Sequence, residues 1–238
     1  MRELKRKITE IIRDYKIKDG LVRITAKPLS SQEAIGNPEH DDYPIQKGRE
    51  KLMQAEFQGS HGVAFTDMFG DYEGSLFEII NMELENNFRR AIFVSTVNAM
   101  LKSLGLIDKT SHCKDSGLVN CQKSVVNFFR ERFGNLKIFQ AGFQPRFVEA
   151  LSEEFEFRVT DVDEDNIGKM VNGVIVEPPG NTKKNIEWCD VIFATGSTFV
   201  NETHRQFIGK GKPTVFYGVT CAGPAYLFNL ERYCPEGI

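Results

Sequence analysis

Residues 112–121, HCKDSGLVNC, bring together one of the protein's four histidines and two of its five cysteines. An imidazole and two thiolates suit soft or borderline transition metals, so His112, Cys113 and Cys121 are candidate metal ligands. The spacing Cys-x7-Cys differs from the Cys-x2-Cys of a structural zinc knuckle, and three ligands leave a tetrahedral zinc site open. A fourth ligand could come from Asp115, Cys221, Cys234 or a partner chain. The alternative is that the thiols only pack against a neighbouring helix.

The reactivity of Cys121 depends on that helix, which the sequence predicts to run from Cys121 to Phe133. A cysteine at the N-terminus of a helix has its thiolate favoured by the helix dipole. Cys189, inside an apolar segment, is instead expected to be a small buried residue. The sequence therefore predicts free thiols near the mouth of a cleft. The functional hypothesis is that they form an open, partial metal site.

Three groups of small and polar residues follow predicted strands in the second half of the chain. In parallel α/β sheets, ligands bind beyond the carboxyl ends of the strands, which meet at one edge. We expect Gly142, Asp161 and Gly196 to share that edge. The candidate ligand-binding residues of these three strand ends are Gly142, Arg146, Asp161, Thr195, Gly196, Ser197, Thr198 and Asn201.

Each strand end suggests its own chemistry. Gly142 would let a ligand approach the backbone, with Arg146 at the start of the next helix. Asp161 or Asp163 stands where many such folds bind a ribose hydroxyl. In the T-G-S-T turn, backbone N–H groups beside a helix capped by Asn201 would bind an anion. The alternative for each is an ordinary turn followed by a capped helix.

Two acids of the first half, Glu56 and Asp67, are the candidates for proton transfer. They lie on a predicted hairpin, with His61 at its turn. A long polar loop at 28–44 precedes them and carries further acids, which would serve as hard metal ligands or as solvated charge. Its titratable side chains are Glu33, Glu39, His40, Asp41 and Asp42.

The hydrophobic pattern divides the chain into two kinds of structure. The first half has amphipathic helices around strands at 21–27, 50–59 and 61–67, which is typical of an α+β unit. From residue 136, strands at 136–142, 157–163, 190–198 and 214–220 alternate with helices at 145–155 and 201–208. Nearly continuous apolar strands in such an order indicate a parallel sheet with helices on both faces. The predicted fold class is α/β.

The predicted domains are a smaller α+β domain at 1–107, a connecting loop and helix at 108–134, and a Rossmann-like domain at 135–238. In the α+β domain, helices are predicted at 75–86 and 88–104.

Composition excludes several partners. A net charge of −3 and a pI of about 5.9 provide no basic field for nucleic acid or an acidic membrane surface. No apolar run approaches the roughly 20 residues of a membrane span. The first helix lacks the apolar block of a signal peptide. An odd number of cysteines fits reduced thiols, so we expect a cytoplasmic protein.

Two segments, CDVIFATGSTFVNET (189–203) and YGVTCAGPAYLF (217–228), resemble the heavy-metal chelation family of uncharacterised bacterial and archaeal proteins. The similarity extends over about residues 90–238. It implies an enolase-N-terminal-like α+β domain packed on a Rossmann-like domain, with a site in the cleft between them. By position, the resemblance adds Gly223 and Pro224 to the cleft residues and supports the T-G-S-T set.

These observations lead to two functional hypotheses. The first is the binding or processing of a metal ion, or of a metal-bearing or anionic small molecule, in the interdomain cleft, with a transition metal ion as the cofactor. The second is an enzyme that acts on a nucleotide-like or other anionic small molecule at the strand ends. The sequence leaves catalysis open, and it leaves open whether the protein is a monomer or a homo-oligomer.

Overall fold

The computed structural model describes residues 1–25, 33, 35–40, 46 and 51–238. Asp41 and Asp42, together with most of the predicted loop at 28–44, lie outside the described residues. The described part of the chain forms a four-stranded sheet and a seven-stranded sheet, with helices packed on both.

The four-stranded sheet is antiparallel, in the order β3-β2-β1-β4. Its strands are β1 (Leu21–Thr25), β2 (Lys51–Phe57), β3 (Ser60–Thr66) and β4 (Tyr72–Ser75). The predicted hairpin is confirmed, because β2 pairs with β3 across a turn at Gln58 and Gly59. Both turn residues have positive φ, as tight hairpin turns require. The apolar side chains that alternate along β2, Met53, Ala55 and Phe57, are all buried.

Three helices belong to this half: α1 (Arg2–Asp14), α2 (Leu76–Asn81) and α3 (Asn87–Ser103). Helix α2 is shorter than the predicted 75–86. It begins with a capping box in which the Ser75 hydroxyl accepts from the amide of Glu78, and it ends at Asn81. Helix α3 is buried on all sides from residue 91 to 101. The reason is that α3 packs on the antiparallel sheet and also contacts Val200 and Leu227 of the second half.

The seven-stranded sheet has the order β11-β10-β9-β5-β6-β8-β7 and is parallel except for the β7–β8 pair. Its strands are β5 (Lys137–Ala141), β6 (Glu156–Thr160), β7 (Met170–Val171), β8 (Val174–Glu177), β9 (Val191–Thr195), β10 (Thr214–Tyr217) and β11 (Glu231–Tyr233). The α/β fold class is therefore confirmed. The sequence missed the short strands β7, β8 and β11.

Helices cover both faces of the parallel sheet, as predicted. They are α4 (Gly117–Phe133), α5 (Pro145–Glu154), α6 (Thr182–Trp188) and α7 (Ala222–Phe228). On one face, Phe193 packs with Phe129 of α4 and Phe147 of α5. On the other face, the neighbouring strand residue Ile192 belongs to a cluster with Phe199. This alternation places successive strand residues in two separate cores.

Two helix predictions need correction. The predicted helix at 201–208 is instead a short 3-10 turn, Thr203–Gln206, which follows another 3-10 turn at Gly196–Phe199. The side-chain Oδ1 of Asn201 accepts from both the amide and the hydroxyl of Thr203, at 3.1 and 2.6 Å, and this local turn competes with helix formation. The helix expected to begin at Cys121 begins at Gly117, so Cys121 lies beyond its first turn.

Among the described residues, none of the helices combines the length and apolar character needed to cross a membrane.

Candidate functional site

A cavity of about 560 Å³ lies at the carboxyl-terminal edge of the parallel sheet. Gly142 follows β5, Asp161 follows β6 and Gly196 follows β9, and β5 pairs in parallel with both neighbours. The three residues therefore lie at the same edge, and all three line the cavity. Residues of β3 line the opposite side, so the cavity lies between the two sheets.

The structure places most of the sequence-predicted site residues on this wall. Those that line the cavity are Asp67, His112, Cys113, Cys121, Gly142, Asp161, Thr195, Gly196, Ser197, Thr198 and Asn201. Glu56, Arg146, Gly223 and Pro224 are not among the residues that line it.

Gly142 packs against the protein itself. A Cβ atom at Gly142 would lie 2.5 Å from Cγ2 of Thr195, and the backbone φ is +95°. The Tyr217 hydroxyl donates to the Gly142 carbonyl at 2.7 Å. Close packing of the strand ends therefore requires a glycine at position 142. The expected approach of a ligand to the Gly142 backbone stays a prediction.

We expect Gly142→Ala to destabilise the protein by about 1–3 kcal/mol more than Gly105→Ala, because alanine at 142 adds a steric overlap to the strain of a positive φ. Gly105 is a matched control: its φ is +68°, and a Cβ there would meet no described atom within 4 Å. Urea unfolding of both variants without ligand measures the difference. Equal losses would show that Gly142 does not pack tightly.

Gly196 and Gly223 also allow close packing. A Cβ at Gly196 would lie 2.7 Å from the amide nitrogen of Cys221. The Gly223 amide donates to Oδ1 of Asn98 at 2.7 Å, and Pro224 is buried beside it in α7. The resemblance placed Gly223 and Pro224 in the cleft. In the structure neither is among the residues that line the cavity, and Gly223 joins α7 to α3.

Asp161 ties two loops together at the cavity edge. Its carboxylate accepts from the amides of Phe143 and Asp163, the latter at 2.7 Å. Burial raises the pKa of Asp161 above its usual value, and the two amides partly offset this. Asp161 thus fixes the position of Asp163, whose own carboxylate accepts from the amide of Asp165 at 3.1 Å.

The T-G-S-T turn satisfies many of its own hydrogen bonds. The Thr198 hydroxyl donates to the Thr195 carbonyl at 2.7 Å, and the Thr195 hydroxyl accepts from the Ser197 amide at 3.4 Å. The carbonyl of Ser197 accepts from the amide of Asn201 at 3.0 Å. A short 3-10 turn, Gly196–Phe199, directly follows the strand in place of the helix on which the expected anion site depended. Anion binding at this turn stays a prediction.

The two candidate proton-transfer acids have different surroundings. Glu56 is half-exposed on β2, and its Oε2 lies 3.9 Å from Nε2 of His61. Asp67 follows β3 on the cavity wall and accepts from Nδ2 of Asn87 at 2.6 Å. Of the two, only Asp67 could reach a bound molecule. Arg146 is buried in α5 with its guanidinium 2.7 Å from Glu149.

His112, Cys113 and Cys121 are close together on the wall, and all five cysteines are free thiols. His112 Nδ1 lies 2.8 Å from the Cys113 carbonyl, its ring packs edge-on against Phe65, and burial lowers its pKa. The Cys113 Sγ lies 3.8 Å from Nδ1 of His112, and a hydrogen bond from Cys113 lowers the pKa of the Cys121 thiol. Within the described ranges, no group of three or more His, Cys, Asp or Glu side chains is arranged to hold a metal ion.

The proposed fourth ligands have different positions. Asp115 faces the segment at 35–40, since its Oδ1 accepts from the Asn37 amide at 2.8 Å. Cys221 is buried and donates to the Gly218 carbonyl at 3.3 Å. Cys189 is buried too, as predicted. Only Cys234 joins Cys113 and Cys121 on the cavity wall, and its position next to β11 could not be predicted because that strand was missed.

The cavity is acidic. The charged side chains on the described part of its wall are the carboxylates of Asp67, Asp161, Asp163 and Glu164. Threonine, serine and tyrosine residues also line the cavity and carry hydroxyl groups. The arrangement can bind positive charge through the carboxylates and donate or accept hydrogen bonds through the hydroxyls.

Comparison with known proteins agrees with the sequence resemblance. Residues 128–225 match the family model DUF364, described as "Putative heavy-metal chelation". A DUF364-family protein of unknown function from Pyrococcus horikoshii has a similar crystal structure, with a TM-score of 0.55 at 17% identity, over 92% of this chain and 78% of that chain. Another, from Desulfitobacterium hafniense DCB-2, has a TM-score of 0.49 at 12% identity, over 75% and 72% of the two chains. No curated protein matches the chain. At such identities the first likeness shows the fold alone.

Proposed function

We propose that this chain, whose residues 128–225 match the DUF364 family, binds a metal-bearing small molecule of net positive charge in the cavity between its two sheets. The domain boundaries at 107 and 135 are part of the same proposal, since they put the cavity at the junction. The family description supports metal handling in general terms. The charge and size of the cavity support the narrower statement.

The observation that carries the proposal is the set of four carboxylates on the wall, Asp67, Asp161, Asp163 and Glu164. Opposite charges attract by about 1–4 kcal/mol at 4 Å in the range of dielectric constants from water to a protein surface. A cationic ligand would gain from each nearby carboxylate. An anionic, nucleotide-like ligand would be repelled by the same groups. This charge therefore favours the metal-binding form of the first hypothesis over an anionic ligand in either hypothesis.

The volume of the cavity favours a small molecule over a bare ion. About 560 Å³ lies within the range of roughly 300–1,000 Å³ typical of small-molecule sites. A metal that arrives with its own organic ligands would need hydrogen bonds and complementary charge from the protein rather than a closed set of protein ligands. Thr160 lines the wall, and its hydroxyl is of the kind that would supply such a hydrogen bond.

Calorimetric titration with hexaamminecobalt(III), an inert cationic complex, tests the charge requirement. We expect the double variant Asp163→Asn, Glu164→Gln to bind about tenfold or more weakly than the wild type, since two attractive charges are removed. Asparagine at 163 keeps the Oδ1 that accepts from the Asp165 amide. The folded loop should therefore be preserved.

Glu56→Gln is the matched control, because it removes a carboxylate that does not line the cavity. It should bind like the wild type. The proposal would be contradicted if the double variant bound as tightly as the wild type, or if Glu56→Gln weakened binding equally.

A further inference from the structure

Asp67 differs from the other carboxylates on the described part of the cavity wall, because it comes from the first half of the chain. It follows β3, whereas the acids at 161, 163 and 164 follow β6. Asp67 is exposed. Among the described residues, Asn87 alone hydrogen-bonds its carboxylate, from Nδ2 to Oδ1 at 2.6 Å. Oδ2 of Asp67 is therefore available to a molecule in the cavity.

The orientation of the Asn87 amide is fixed by Arg90. Nη2 of Arg90 donates to Oδ1 of Asn87 at 2.6 Å. A guanidinium has donors and no acceptor, so the amide must turn its oxygen to Arg90 and its NH2 group to Asp67. The reversed amide would place NH2 against the guanidinium and oxygen against the carboxylate, and both contacts would be repulsive. Arg90 thus determines that Asn87 donates to Asp67.

Arg90 is itself held on several sides. Its side chain is only 12% exposed. Nε donates to the Val200 carbonyl at 2.5 Å, and Nη1 donates to the Leu84 carbonyl at 3.0 Å and to Oε2 of Glu202 at 3.3 Å. Glu202 balances the positive charge of Arg90, which does not line the cavity. The guanidinium can therefore orient Asn87 while it offsets little of the negative charge on the wall.

The backbone around Asp67 is also fixed locally. The Thr66 hydroxyl donates to the Met68 carbonyl at 3.0 Å and accepts from the Met68 amide at 3.1 Å, which closes a tight turn around Asp67. Both the backbone and the carboxylate of Asp67 are held in place by the protein itself. A group that is held before the ligand arrives loses little conformational entropy on binding.

We propose that Asn87, oriented by Arg90, is a positioning residue that directs the Asp67 carboxylate at a hydrogen-bond donor of the bound ligand. The inference rests on the proposed function and narrows its ligand: the cation carries N–H or O–H groups on the side that faces the first half. Metal-bound ammonia, amine or water is of this kind. Asp67 contacts the ligand, and Asn87 acts through Asp67.

A double-mutant cycle with hexaamminecobalt(III) tests this role, since its six ammonia ligands offer N–H donors in every direction. Asp67→Asn should weaken binding about tenfold, because it removes one attractive charge and keeps Oδ1 for Asn87. Asn87→Ser, which removes the amide, should weaken binding about three- to tenfold in the wild-type background. In the Asp67→Asn background it should weaken binding less than about twofold. Calorimetric titration of the full chain measures each dissociation constant.

The start of α3 should survive the replacement, because Oδ1 of Asn86 still accepts from the Arg89 amide, at 2.9 Å. The melting temperature of each variant confirms that it is folded, and Asn87→Thr replaces Asn87→Ser in the cycle if the serine variant is not. Asn81→Ala is the matched control, because Asn81 does not line the cavity. It should bind like the wild type.

Equal weakening by Asn87→Ser in both backgrounds would overturn the inference, because Asn87 would then act on the ligand or on the fold without Asp67. Unchanged binding of Asn87→Ser would also overturn it. Either result leaves the proposed function standing if the wild type binds the complex and the Asp163→Asn, Glu164→Gln variant binds it more weakly. A wild type that does not bind the complex would overturn both.

Discussion

Replacing Asn98 with alanine is expected to lower the free energy of unfolding by about 3–5 kcal/mol, the largest single effect among our predictions. Asn98 lies fully buried in α3, between the two sheets. Its Nδ2 lies 2.9 Å from the Val63 carbonyl, 3.3 Å from that of Val219 and 3.1 Å from that of Thr220. Its Oδ1 accepts from the Gly223 amide at 2.7 Å.

Alanine at position 98 would remove the side-chain amide that hydrogen-bonds several buried backbone groups at once. A buried polar group left without a hydrogen bond costs about 1–3 kcal/mol. The Val219 carbonyl keeps the amide of Ala222, at 3.1 Å, so the loss falls mainly on Val63, Thr220 and Gly223. Since these groups come from β3, from the segment after β10 and from α7, we expect the two halves to separate more readily as well.

Asn81→Ala is the matched control, because Asn81 is an exposed helical asparagine with one hydrogen bond, to the Phe77 carbonyl at 2.8 Å. It should cost less than about 1 kcal/mol. Chemical unfolding of both variants measures the difference. If Asn98→Ala lost no more stability than Asn81→Ala, the buried network would not stabilise the junction.

Asn98 also illustrates what the sequence could not predict. The periodicity around it predicts a helix, and the helix is there as α3. A helical pattern gives no sign that both faces will be covered, because the second face packs on residues more than 100 positions away. The hairpin of β2 and β3 was predictable because its signal is local: an alternating pattern on each side of a tight turn.

The shared edge of Gly142, Asp161 and Gly196 was predictable for a different reason. Parallel strands joined by helices all end at the same edge, so the order of elements is sufficient to place their following turns together. The roles of those residues were not predictable. Gly142 and Gly196 are needed for contacts with Thr195 and Cys221, and no pattern along the chain reveals a partner so distant in sequence.

The relation between Cys113 and Cys121 was predictable only in part. The two cysteines were singled out by type and spacing, but their hydrogen bond depends on where α4 begins. The sequence pattern predicted that Cys121 stands at the helix N-terminus, where the helix dipole would favour its thiolate. With the start at Gly117, the hydrogen bond from Cys113 is the main cause of the lowered pKa.

The second large effect concerns pH. We expect acidification from about pH 7 to pH 4 to remove about 2–3 kcal/mol of stability through His204. His204 lies in the second 3-10 turn, stacked on Phe199 with 4.6 Å between ring centroids, and its Nδ1 is 3.3 Å from the Thr198 carbonyl. Burial is the main cause that lowers its pKa to about 4, with Arg205 acting in the same direction and Glu202 opposing.

The direction of the effect follows from proton binding. In the unfolded chain the histidine has a pKa near 6.5, so between about pH 6.5 and pH 4 the unfolded state binds more protons than the folded state. Stability therefore falls as the pH falls through this window, and the contribution of His204 is fully present above it. Below about pH 4 both states are protonated, and this residue adds no further dependence.

His204→Gln isolates this contribution, because glutamine does not titrate and its amide can still donate to the Thr198 carbonyl. Carboxylates elsewhere also titrate in acid, so the measurement is the difference in unfolding free energy between variant and wild type at several pH values. We expect that difference to shift in favour of the variant by about 2–3 kcal/mol between pH 7 and pH 4. His61→Gln, at a half-exposed hairpin position, is the matched control. Parallel stability curves for wild type and His204→Gln would mean that His204 is not held neutral by its burial against Phe199.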